Sequence, residues 1–113
     1  EKCERARRNF DEAVLSDVFT LLEGDAMETL PALEGPLDFL LLDGWKDLYL
    51  PLLRALEPKL RPGALIFTDN AGFPSARPLR DYLRSEPERY LSLKLRMGKG
   101  QTELSCFLGA EAE

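Results

Sequence analysis

The chain has 113 residues, 44% of them hydrophobic and 31% charged, with a formal net charge of -5. That length and composition fit one folded domain with a real core rather than a disordered segment. The acidic balance argues against a nucleic-acid partner, and nothing approaches the ~18 consecutive apolar residues of a membrane span or the layout of a signal segment, so no membrane partner and a cytoplasmic location are expected.

Histidine is absent. The commonest general base and every histidine-dependent triad are thereby removed, leaving Asp, Glu, Lys, Tyr and Cys for any proton chemistry. Cys3 and Cys106 stand far apart without metal-ligand spacing, which predicts free or buried thiols and no disulfide framework.

The opening "EKCERARRNFDEAV" is helical sequence with neither an initiating Met nor a cap before it, so the chain reads as cropped at its N-terminus. Ala6, Phe10, Ala13 and Val14 recur at helical spacing and predict an amphipathic helix from 1 to about 15, its arginines on a solvated face. "VFTLLEG" (18–24) predicts a strand over 18–23 ended by glycine, and "DAMETLPAL" (25–33) a short helix capped by Asp25.

"PLDFLLLD" (36–43) is a near-continuous apolar run, the pattern of a strand over 37–42 buried on both faces of a parallel sheet. A helix is expected over about 46–60, with Leu48, Leu52, Leu53, Leu56 and Leu60 on its apolar side and Pro51 in its first turns. "RPGALIFTDN" (61–70) repeats the unit of turn, strand (64–68) and polar end. A further helix is expected over about 75–85, stopped near Pro87, then an antiparallel hairpin of strands at 89–97 and 102–109 around Gly98-Lys99-Gly100. The fold class predicted is α/β: a partial Rossmann-like sheet, mostly parallel, with a C-terminal hairpin, making up one domain over 1–113.

Two parallel strands joined by one helical crossover lie side by side with their carboxyl ends at one edge, and ligands of open α/β sheets bind there. Asp43 and Asp69 end two such strands, and Asn70 follows the second. Oxygen donors of this kind suit a hard cation such as Mg²⁺, Ca²⁺ or Mn²⁺. Asp43 by itself would be an ordinary helix cap, and Asp69-Asn70-Ala71-Gly72 an ordinary turn. Lys46 alone would be a solvated first-turn lysine and Trp45 a packing residue. It is the combination that favours a metal site.

Asp43-Gly44-Trp45-Lys46-Asp47-Leu48-Tyr49, with Asp69-Asn70 beginning 26 residues after Asp43, resembles the cation-dependent small-molecule O-methyltransferases, the catechol and caffeoyl-CoA group. "GDAMETLP" and "LRPGALIFTDN" agree with that frame, and the resemblance covers most of residues 1–70. It implies a class I methyltransferase fold, S-adenosylmethionine as methyl donor, a divalent cation, and a small catechol-like hydroxylated acceptor, in a chain that could form a homodimer. By resemblance Asp43, Asp69 and Asn70 are metal ligands and Lys46 is the catalytic base. Gly24, Asp25 and Ala26 form the turn beside the cofactor's adenine, and Asp43 and Trp45 also face the cofactor.

The family's glycine-rich loop and ribose-binding acid are not found in these residues, and the opening helix resembles the one that begins just after that acid. The 113 residues alone are therefore expected not to methylate. The family's sheet places two strands between the run at 18–23 and the one at 37–42, which predicts a vacant slot beside the latter. Two alternatives stay open: a non-catalytic α/β binding or interaction domain derived from the same fold, and a methyltransferase that uses no metal.

Overall fold

The computed structural model describes residues 2–14, 17–18, 20–97 and 100–109. Helix α1 spans Lys2–Glu12, ending before the predicted 15, with Cys3, Ala6 and Phe10 half-buried along one side and none of its residues fully buried. Helix α2, Ala26–Thr29, is capped as expected: the Asp25 carboxylate accepts from the Met27 N–H at 2.9 Å. It stops short of the predicted 33: Leu30 is still helical at φ -71° and ψ -37°, but Pro31 has no N–H with which to continue the ladder.

Four strands follow in the sheet order β1-β2-β4-β3, with β1 at Leu37–Leu42, β2 at Leu60–Thr68, β3 at Tyr90–Met97 and β4 at Gly100–Phe107. The β1–β2 pair is parallel, whereas β2–β4 and β4–β3 are antiparallel. The fold class is thus the predicted α/β sheet with its C-terminal hairpin. Lys99 and Gly98 of the hairpin turn lie outside the described residues.

Three expectations need correction. Of the predicted strand over 18–23, Phe19 lies outside the described residues and the rest forms no strand, because extended backbone is held in a sheet only by a ladder partner and none among the described residues stands beside it. The outer edge of β1 is likewise unpaired among the described residues. Strand β2 begins at Leu60, earlier than predicted, because its register with β1 jumps from Leu37↔Leu60 to Phe39↔Leu65. Pro62 and Gly63, the latter at φ +93°, lie in the extra length, as at a bulge. The predicted helix over 46–60 is a composite: a 3-10 turn at Lys46–Leu48, helix α3 at Tyr49–Leu56, and a second 3-10 turn at Glu57–Lys59. Helix α4 at Arg77–Ser85 is entered through a 3-10 turn at Pro74–Ala76.

The core lies on one face of the sheet. Leu42, Ile66, Tyr90 and Phe107 from the strands meet Tyr49 and Leu53 of α3 and Leu79 and Leu83 of α4. Each of these buried apolar side chains stabilises the fold by roughly 1.5–3 kcal/mol relative to an exposed one.

The opposite face is bare, which is a further correction. Phe39 is 56% exposed and Leu41 54% exposed, although the unbroken apolar run of β1 predicted burial on both faces. Register carries the same face across the sheet: Phe39 pairs with Leu65, Leu65 with Cys106, and Cys106 with Leu91. Leu91 and Leu93 are also exposed. Helices α3 and α4 pack on the other side alone, so a sequence written for two covered faces has one covered here.

Candidate active site

The register that pairs Leu42 with Thr68 brings the residues after them, Asp43 and Asp69, to one edge of the sheet. The Asp69 N–H donates to the Leu42 carbonyl at 2.9 Å, extending the parallel ladder past the strand end. Beside this edge stands Tyr49, the first residue of α3, which is 1% exposed. Its hydroxyl donates to the Asp69 carbonyl at 3.2 Å. Burial raises the Tyr49 pKa above the ordinary 10.0, a hydrogen bond with the Gly44 backbone lowers it, and the charges of Asp43 and Asp69 raise it further. Both carboxylates therefore act on one buried phenol.

Asn70 sits in the left-handed region at φ 53°, a conformation asparagine tolerates better than most side chains. Its amide donates to the Asp69 carboxylate at 3.4 Å, joining the second and third predicted ligands. Asp43 is exposed, while Asp69 and Asn70 are half-buried. Asp43 does not cap the following helix; Trp45 occupies that position and makes no side-chain cap bond. The Thr68 hydroxyl, immediately before Asp69, is buried with no hydrogen-bond partner among the described residues.

Lys46 and Trp45 flank the other side of the Asp43 turn. The Lys46 Nζ lies 5.2 Å from the centre of the Phe73 ring, over its face. Trp45 is 70% exposed and donates through its indole N–H to the Asp47 carboxylate at 3.1 Å. Gly44, Trp45, Lys46, Asp47, Phe73 and Ser75 line an open hollow of ≈ 360 Å³. A second hollow of ≈ 250 Å³ has Asp43 and Trp45 in its wall together with Leu30, the residue that ends α2. The turn of Gly24, Asp25 and Ala26 begins that helix, with Gly24 at φ +125°.

The structure thus brings Asp43, Asp69 and Asn70 to one edge, with Lys46 and Trp45 beside them. Among the described residues no three His, Cys, Asp or Glu side chains stand close enough to hold a metal by themselves. The donors this edge offers are two carboxylates and one amide. Tyr49 and Phe73 were not singled out from the sequence as site residues. For Tyr49 a signal existed, since it begins the Tyr49, Leu53, Leu56 spacing that faces α3 into the core. No local pattern marks Phe73.

A parallel strand pair with carboxylates at its carboxyl edge, extended by an antiparallel hairpin, defines an open α/β domain with its candidate ligand site at that edge. Residues 1–71 match the family model described as a methyltransferase domain. The chain belongs to that methyltransferase-domain family. Catechol O-methyltransferase of Bos taurus is 34% identical over 85 residues, which are 69% of this chain and 31% of the bovine one. The crystal structure of an O-methyltransferase from Klebsiella pneumoniae superposes at a TM-score of 0.77 with 27% identity, covering 92% of this chain and 56% of that one. The O-methyltransferase from Bacillus cereus, solved in complex with SAH, shares the fold at a TM-score of 0.79 and 21% identity, over 93% of this chain and 57% of that one. The chain therefore spans about a third of the bovine relative and just over half of the superposed structures. No described helix is long and apolar enough to cross a membrane.

Proposed function

We propose that the protein is an S-adenosylmethionine-dependent, divalent-cation-dependent O-methyltransferase acting on a small, catechol-like hydroxylated acceptor. The observation that carries this reading is that the β1–β2 register and the Asp69 N–H bond to the Leu42 carbonyl bring Asp43 and Asp69 to one edge of the sheet, with Asn70 joined to Asp69. A donor set of two carboxylates and an amide fits a small hard cation, which binds through few protein oxygens and keeps its remaining positions for water or substrate. The left-handed Asn70 supports the same assignment, since strained residues persist where the surrounding structure fixes them and cluster at functional turns.

In this reading Asp43, Asp69 and Asn70 would hold the cation, and Gly24, Asp25, Ala26, Asp43 and Trp45 would face the methyl donor. A bound cation would favour loss of the acceptor's hydroxyl proton and orient the oxygen. Lys46, as the neutral amine, would accept that proton at its Nζ, and the donor, when bound, would supply the methyl group that the acceptor oxygen takes, its sulfonium becoming a thioether. Alignment of oxygen, methyl carbon and sulfur supplies most of the rate. The Phe73 ring, 5.2 Å from the Lys46 Nζ, limits the direction from which that nitrogen approaches.

The test is methylation of a catechol by the complete protein before and after chelation, and in Asp69→Ala. Activity lost with chelator, restored by Mg²⁺ and absent in Asp69→Ala, with unchanged far-ultraviolet circular dichroism, is the expected result. Activity indifferent to chelation would favour a metal-free methyltransferase. No methylation of any acceptor, with no binding of the methyl donor, would favour a non-catalytic binding domain.

A further inference from the structure

The turn that carries Asp69 and Asn70 leaves the sheet at a strand end, so its backbone N–H and carbonyl groups need partners that a ladder no longer provides. Two side chains and one strand supply them. Tyr49 reaches the Asp69 carbonyl from α3. From β4, the Gln101 carbonyl accepts the Ala71 N–H at 2.8 Å, and a Cβ added at Gly72 would fall 2.9 Å from the Gln101 Oε1 and 3.2 Å from its Cβ. From α4, the Arg80 guanidinium donates through one nitrogen to the Ala71 carbonyl and, at 2.9 Å, to the Phe73 carbonyl. Among the described residues, Arg80 is the side chain that holds two carbonyls of this turn.

Arg80 is itself held from behind. One turn further along α4, Arg84 donates to the Arg80 carbonyl at 3.1 Å and, through its other terminal nitrogen, to both oxygens of Glu103 at 3.1 Å. The Glu103 side chain is fully buried, and in register it faces Thr68, the residue before Asp69. A buried carboxylate is retained only with a charged partner, so the Glu103–Arg84 pair fixes α4 against β4, the neighbour of the strand whose end bears the site.

We propose that Arg80 is the positioning residue of the candidate cation site: by gripping the Ala71 and Phe73 carbonyls it holds Asn70 left-handed and keeps Asp69, Asn70 and Phe73 in one arrangement. The inference rests on the cation-dependent reading above for its consequence, but its structural half stands independently. Arg80 touches neither cation nor substrate and acts through the backbone of the turn. Its effect belongs to the affinity of the site, as with partners that orient metal ligands elsewhere.

Two measurements on the protein test it. Hydrogen exchange should show the Ala71 amide exchanging about 10–100-fold faster in Arg80→Ala, with the Ile66 amide of the core unchanged and Arg80→Lys partly restoring protection. Mn²⁺ binding followed by electron paramagnetic resonance should weaken about 10–100-fold in Arg80→Ala and recover in part in Arg80→Lys. Arg77→Ala, which removes an exposed pair with Asp81 on the same helix, should alter neither. Unchanged Ala71 exchange, or acceleration equal at Ala71 and Ile66, would overturn the proposal, as would wild-type Mn²⁺ affinity in Arg80→Ala. If the wild type bound no Mn²⁺, the cation reading would fall and the exchange result alone would decide the role of Arg80.

Discussion

Tyr49 shows how one side chain serves stability and site at once: its ring lies in the core while its hydroxyl steadies the turn after β2. Lys46, by contrast, has no carboxylate partner in an ion pair among the described residues and lies against an aromatic face, an arrangement that leaves its nitrogen free to meet an acceptor. Lys46→Ala in the complete protein should therefore lower kcat by about 10²–10⁴-fold with donor affinity unchanged, read from steady-state kinetics beside calorimetric titration of the donor. A rise in KM alone would make Lys46 a binding residue. The tyrosines give a second prediction at this scale. Tyr49, Tyr82 and Tyr90 all have pKa values raised above 10.0, in each case first by burial, and at Tyr82 and Tyr90 next by the hydrogen bond to Glu57. A phenol that holds its proton more tightly when folded adds stability that is complete below pH 10 and is lost as pH climbs beyond it, because the unfolded chain ionises first. The thermal midpoint should be flat to about pH 9 and fall above the ordinary tyrosine value of 10.0, with a shallower fall in Tyr90→Phe.

Among elements, the end of α3 carries the main polar fastening of the core. The Glu57 carboxylate accepts from the Tyr82 and Tyr90 hydroxyls, each at 2.6 Å, and lies 3.7 Å from Arg89. Glu57→Ala leaves two phenols without their acceptor and should cost about 1–3 kcal/mol in urea unfolding. Leu53→Ala, at a side chain with no exposed surface, should cost about 2–5 kcal/mol. The elements most legible in the sequence were those specified locally. Asp25 announces a cap, Leu37–Leu42 is an unbroken apolar run, and the alternation through Tyr90–Met97 has strand period. What was not legible depends on distant partners. The stretch 20–23 has strand composition but no neighbour to pair with, and the bulge at Pro62-Gly63 is visible only once β1 lies beside it. The burial of Glu103 is equally hidden, since a charged residue in an alternating strand reads as solvated until Arg84 is placed over it. In the candidate site, Asp43, Asp69 and Asn70 could be read from strand ends, whereas Arg80 could not, because it meets the turn from a separate helix.

At the scale of the whole molecule, helices cover one side of the sheet and leave Phe39, Leu41, Leu65, Leu91 and Leu93 on the other, below an unpaired β1 edge. The 113 residues also contain no glycine-rich phosphate-type loop, so calorimetric titration of this chain with S-adenosylmethionine should show weak or no binding. Contiguous exposed apolar surface of this kind governs how molecules meet in solution. In colloidal terms the chain is a two-faced particle, one side wetted and the other not. Light scattering should return a negative second virial coefficient, meaning net attraction between copies, and added salt should deepen it by screening the repulsion that the net charge of -5 provides. Placing charge on the bare side, as in Leu93→Lys on the edge strand β3, should move the coefficient toward zero without lowering the melting temperature, because the residue is 58% exposed.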